Sequence, residues 1–155
     1  MGDTILKRLE GLGVTLPAAA APAANYVPFA VSGNLLLTAG QLPLQDGKLA
    51  ASGLLGRDLD VDAGKQAAKL CAINILAQVQ AATGDLDRIA RLVKITVFVA
   101  STADFTEQHL VANGASDFLV EALGERGKHA RSAVGVASLP LNAAVEIEAI
   151  VELAQ

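Results

Sequence analysis

The sequence predicts an α+β fold: a mixed β-sheet with two main helices packed on one of its faces. Three observations carry that expectation. Segment 143–153 (AAVEIEAIVEL) sets Val145, Ile147, Ala149, Val151 and Leu153 against Glu146, Glu148, Ile150 and Glu152. That period of two, with one apolar side, is a strand with one buried face. Segment 89–100 (IARLVKITVFVA) holds the β-branched and aromatic run ITVFV, which reads as a buried strand. Segments 60–82 and 113–123 instead repeat apolar residues at helical spacing.

Taken in order, residues 3–12 (DTILKRLEGL) form a short amphipathic helix. Asp3 or Thr4 caps it, and Gly11 and Gly13 end it. An Ala/Pro-rich stretch to residue 24 follows, and Pro17 and Pro22 make it an extended connector. Segments 27–32 and 35–39 read as a β-hairpin across Ser32-Gly33-Asn34. Asp46-Gly47 is a further turn dipeptide. The helix over 60–82 starts at a capping Asp60 or Asp62. It carries Ala68, Cys71, Ala72, Ile75, Leu76 and Val79 on one face, and Gly84 stops it. The second main helix, 113–123, buries Ala115, Phe118, Leu119 and Ala122. Segment 130–137 (ARSAVGVA) is another strand, and 138–142 is a loop.

The reading is one domain over 1–155, with the leading helix and connector at 3–24. A chain of 155 residues can bury a sizeable core. Two long helices cover one sheet face and leave the other bare, so oligomerisation is expected.

Composition narrows the function. The net charge of −4 argues against a nucleic-acid partner, since phosphate binding calls for a basic face. One cysteine, Cys71, makes no internal disulfide, and its apolar helical setting reads as packing rather than nucleophile. Charged residues at 3–10 break any secretory apolar core, and no run reaches membrane-span length. The expectation is a cytoplasmic protein with no membrane partner. The two histidines, His109 and His129, lack ligands at metal spacing. No phosphate-binding glycine loop and no GxSxG elbow occurs. Neither a metal nor a cofactor is expected.

What remains is Arg131 in an otherwise apolar strand. It alternates with Ala133 and Gly135, small neighbours that leave room for a ligand, and backbone N–H groups near Ala133 can add donors. A guanidinium there offers a planar fork matched to a carboxylate. The alternative is that Arg131 pairs with Glu146 or Glu148 from the following strand. Glu146 is either a general base that orients water or part of a solvated strand face. Tyr26, the only tyrosine, is a packing residue or a pocket wall with a hydroxyl donor. Asn113, just before its helix, reads as a cap.

The segments LLLTAGQLP (35–43), VKITVFVASTADF (93–105) and HARSAVGVASLPLNAAVEIEAI (129–150) resemble the RidA/YjgF family, long called L-PSP endoribonucleases. The likeness runs from about Asn25 to the end, and the leading helix and connector are similar to a longer-tailed subgroup. The resemblance implies a chorismate-mutase-like fold of the bacillus type and a homotrimer with three clefts between subunits. It implies hydrolytic deamination, without cofactor, of reactive enamines and imines such as 2-aminoacrylate, to a 2-keto acid and ammonia. It places Arg131 on the substrate carboxylate, Glu146 on the water, and Gly40, Tyr26 and Asn113 around the cleft with Ala133. The pattern departs in three places. Ala39 stands for the family's Ser before Gly-Gln, Ala133 for a Cys or Thr, and His129 for a Pro. The lost hydroxyl and thiol bear on substrate identity and leave the carboxylate grip in place. Two other readings stand beside the deaminase: a trimer that binds a small carboxylate without turnover, and a ribonuclease.

Overall fold

The computed structural model describes residues 4–22 and 24–155. Asp3, the alternative cap of the leading helix, and Ala23 in the connector lie outside the described residues. Helix α1 spans Thr4–Gly11, and its buried Ile5 and Leu9 anchor it. Its N-terminal donors are met by a distant side chain. Asp87 accepts from the Thr4 amide at 2.6 Å, the Thr4 hydroxyl at 2.9 Å and the Ile5 amide at 3.3 Å. A carboxylate at a helix N-terminus satisfies orphan N–H groups and complements the helix dipole.

Strands β1 (Phe29–Ser32) and β2 (Leu35–Thr38) form the expected hairpin. Strands β3 (Leu44–Gln45) and β4 (Lys48–Leu49) make a second, separate hairpin. Its turn holds Asp46 and Gly47 at φ 53° and 77°. That is the left-handed pair a two-residue hairpin turn requires, which only Gly, Asn and Asp adopt easily.

Helix α2 (Val61–Thr83) begins at Asp60, whose carboxylate accepts from the Ala63 amide at 2.9 Å. It ends at Gly84 in the left-handed conformation. Strand β5 (Ile89–Ala100) follows, then α3 (Gln108–Leu123), β6 (Ala130–Val136) and β7 (Val145–Leu153).

The five-stranded sheet runs β1-β2-β7-β5-β6, with β5 and β6 parallel and the other neighbours antiparallel. Helices α2 and α3 pack on one face of it. Ile95, Val97 and Val99 of β5 and Val145, Ile147 and Val151 of β7 are buried there with Ala68, Ile75, Ala115 and Leu119 from the helices. The two helices approach closely at Gly114, where an added Cβ would strike the backbone of Lys65.

Among the described residues, no helix packs on the opposite sheet face. Leu35, Leu37 and Val134 stay exposed on it, near half-buried Phe98 and Ile150. Strand β6 lies at the sheet edge beside β5, not beside β7, so no ladder joins Arg131's strand to the glutamate strand.

Candidate functional site

The helix-facing side of the edge strand sets Arg131. Its register partner on β5 is Ile95, a core residue, so Arg131 points towards the helices. There α3 receives it. Arg131 Nη1 donates to Asn113 Oδ1 at 2.8 Å and to Ser116 Oγ at 3.1 Å, and Nη2 donates to the His109 carbonyl at 3.1 Å. Residues 109, 113 and 116 are spaced i, i+4, i+7, one stripe of a helix.

Helix α3 starts at Gln108, five residues earlier than the sequence indicates. Asn113 is therefore not a cap. It lies inside the helix and its side chain holds the guanidinium. Pairing of Arg131 with Glu146 or Glu148 is also corrected: all three of its acceptors are uncharged, and the glutamates belong to a strand that is separated from β6 by β5. A guanidinium has five N–H donors. Three are engaged, which leaves the Nε–H and one Nη2–H.

Ala133, next on the same side of β6, is half-buried and packs against the core. Gly135 follows, but the space beside it is already occupied. A Cβ there would come within 2.6 Å of Gln108 Nε2 and 2.7 Å of Ser101 Oγ. Room for a ligand next to Arg131 thus ends near Ala133.

Glu146, Gly40 and Tyr26 gather elsewhere. Glu146 is the register partner of Phe98 on β5, and Phe98 partners Val134 on β6. These residues face the bare side of the sheet, away from Arg131. Gly40 leaves β2 directly over Glu146, and an added Cβ would overlap the carboxylate. Glycine is the residue this approach admits. A hollow lined by Pro22, Tyr26, Pro28, Ala39, Gly40 and Leu141 adjoins it. Tyr26 is exposed there at 53 %. Burial raises the Glu146 carboxyl above its ordinary range, and the like charge of Glu148 adds to the shift.

One chain therefore holds the expected site as two halves: Arg131, Asn113 and Ala133 on the helix side of the edge strand, and Glu146, Gly40 and Tyr26 on the bare face. Two side chains beside Arg131 escape a sequence reading. Ser116 Oγ lies 2.9 Å from His129 Nε2, and His129 Nδ1 lies 2.6 Å from the Gly127 carbonyl. A helix begun at Asn113 hides Ser116 among surface positions. Starting it at Gln108 would have put residues 109, 113 and 116 on one stripe.

Cys71 is buried, with its thiol 3.7 Å from the Val145 carbonyl. Burial pushes the thiol pKa well up, and the charge of Glu146 adds to it, so the thiolate is suppressed. Among the described residues no group of three or more His, Cys, Asp and Glu side chains converges as a metal site would. No helix among them is long and apolar enough to cross a membrane.

Comparison with known proteins covers nearly the whole chain. Residues 6–153 match the model of the YjgF/chorismate mutase-like family, described as candidate endoribonucleases. Protein TCP17 of Trypanosoma cruzi is 53% identical over 150 residues, spanning 96% of this chain and 94% of that protein. The crystal structure of Atu1372 from Agrobacterium tumefaciens superposes with a TM-score of 0.92 at 60% identity, covering 97% of this chain and 93% of that one. Escherichia coli TdcF, solved with bound serine, superposes with a TM-score of 0.63 at 30% identity, covering 90% and 95%. Sheet order, helix placement and these matches agree: the chain belongs to the RidA/YjgF family.

Proposed function

We propose that this chain is a cofactor-free hydrolytic deaminase of reactive enamines and imines of the 2-aminoacrylate kind, and that it works as a cytoplasmic homotrimer. The observation that carries the reading is the state of Arg131. Its guanidinium is fixed by three uncharged acceptors and keeps two N–H donors for a carboxylate. A trimer supplies the rest. The bare sheet face, with Leu35, Leu37 and Val134 exposed, becomes the contact between copies. The Glu146, Gly40 and Tyr26 half of one subunit then meets the Arg131, Asn113 and Ala133 half of its neighbour.

The chemistry asks little of the protein. In the imine the C=N carbon is already electrophilic. Arg131 fixes the carboxylate, and Glu146 holds a water and takes its proton as the oxygen adds to that carbon. The proton passes to nitrogen, the C–N bond breaks, and the products are a 2-keto acid and ammonia. The gain is mostly orientation. A carboxyl raised by burial is a better base near neutrality than an ordinary one.

A second reading, a binder that senses or sequesters a small carboxylate, is favoured by one fact: the arginine grip is complete within a single chain and needs no glutamate. TdcF with bound serine is a family precedent for small-molecule binding. Cleavage of RNA is the weakest reading. The net charge is −4, and of the neighbouring basic residues Arg88, Arg91 and Lys94, Arg88 already donates to the Ala154 carbonyl at 3.3 Å.

The test is a coupled assay. A serine or threonine dehydratase generates the imine, semicarbazide traps what survives, and its decay is followed. Faster decay with wild type, lost in Arg131→Ala and in Glu146→Gln, supports the deaminase. Mixing the two inactive variants under subunit exchange should restore part of the rate, because one subunit then supplies the arginine and its neighbour the glutamate. If 2-keto acids bind through Arg131 and no imine is turned over, the chain is a binder.

A further inference from the structure

We infer that His129 and Ser116 are positioning residues which decide which edge of the Arg131 guanidinium faces the ligand. The inference rests on the carboxylate-binding reading of Arg131 and extends it to two residues outside the expected site. The hydrogen-bond direction follows from the chemistry of the partners. The Gly127 carbonyl can only accept, so the contact at 2.6 Å puts the proton of a neutral His129 on Nδ1. His129 Nε2 is then an acceptor, and the Ser116 hydroxyl, 2.9 Å away, donates to it. With its proton committed, Ser116 Oγ turns a lone pair to Arg131 Nη1, which donates across 3.1 Å.

The chain of bonds therefore runs one way, from arginine to serine to histidine to backbone. Asn113 Oδ1 takes the second Nη1 hydrogen at 2.8 Å. Both Nη1 hydrogens are spent, so the end of the fork formed by Nη1 and Nη2 is closed to a carboxylate. The ligand is left the Nε–H and one Nη2–H. Without His129 the Ser116 hydroxyl is free to turn to a carbonyl of its own helix, as serines within helices do. The guanidinium then loses a fixed acceptor, and with it one orientation.

Pyruvate serves as the probe, with affinity measured by calorimetry on the full-length protein. Ser116→Ala and His129→Phe should each weaken pyruvate about five- to tenfold, the worth of roughly one oriented hydrogen bond. Ser116→Thr, which keeps the hydroxyl, should stay within about twofold of wild type on the same reasoning. In the deaminase assay the loss should appear in KM with kcat little changed, as expected for lost ground-state binding. Wild-type affinity in both Ser116→Ala and His129→Phe overturns the inference.

A second measurement does not depend on the ligand. Side-chain 15N resonances of Arg131 in the unliganded protein should be sharp in wild type and broadened in both variants, and His129 should carry its proton on Nδ1. Unchanged Arg131 resonances, or a proton on Nε2, overturn the inference. If wild type fails to bind pyruvate, the carboxylate reading falls, and these resonances alone decide whether the two residues position the arginine.

Discussion

Arg131 is held by Asn113, Ser116 and a backbone carbonyl, and this neutrality matters at the scale of a residue. A carboxylate partner would have consumed the charge that a ligand needs. Replacing Arg131 by Lys keeps the charge but loses the planar fork. Pyruvate affinity is expected to fall more than tenfold, on the order of a charge-assisted hydrogen bond, as calorimetry would read it. Glu146 makes a different prediction. Its carboxyl is raised first by burial and second by Glu148, and its base form is the active one in the proposed reaction. The rate should therefore fall as pH drops through a value above the ordinary carboxylate range. Glu148→Gln removes the second cause only, so it should move that acid limb down part of the way. A pH profile of kcat/KM checks both. Gly40→Ala offers a steric test. Its methyl would displace the Glu146 carboxylate, so turnover should collapse while pyruvate still binds.

Among the elements, the helices owe their ends to single side chains. Asp60 caps α2 through the Ala63 amide. Its replacement by Ala should cost about 1 kcal/mol in urea unfolding. Asp87 joins three parts of the chain: it caps α1 and pairs with Arg126 at 3.2 Å. Asp87→Ala should free α1, seen as faster amide exchange over residues 5–9 with the sheet unaffected. Gly114 governs helix spacing. A side chain there meets the Lys65 backbone, which cannot retreat as a flexible side chain can, so Gly114→Ala should destabilise by about 1–3 kcal/mol. Most of these elements were legible in the residues, because period two in β7 and helical spacing in α2 each fix a buried face. The start of α3 was not. Its first turn, Gln108 to Val111, has no capping side chain at Glu107, so the usual signal is missing.

At the scale of the molecule, one half of the proposed site lies on each side of the sheet. That arrangement gives the proposed trimer a specific prediction. Leu37→Glu places a charge on the bare face without touching the core. It should yield a folded monomer by sedimentation that still binds pyruvate through Arg131, with deaminase turnover abolished. A trimer that persists in Leu37→Glu with full turnover would place the contact between copies elsewhere.

The sequence by itself indicated the five strands of the main sheet and the presence of the two main helices, and it singled out Arg131 and Glu146 as candidates, because periodicity and residue chemistry are local properties. It also determined that a sheet face would lie bare, since two helices cannot cover both. Only the tertiary structure decided that β6 pairs with β5 and not with β7. That pairing turns Arg131 towards α3 and away from Glu146, and it gathers Asn113, Ser116 and His129 around the guanidinium. Strand order is set by which faces bury together across the whole chain, and no stretch of neighbouring residues contains that information.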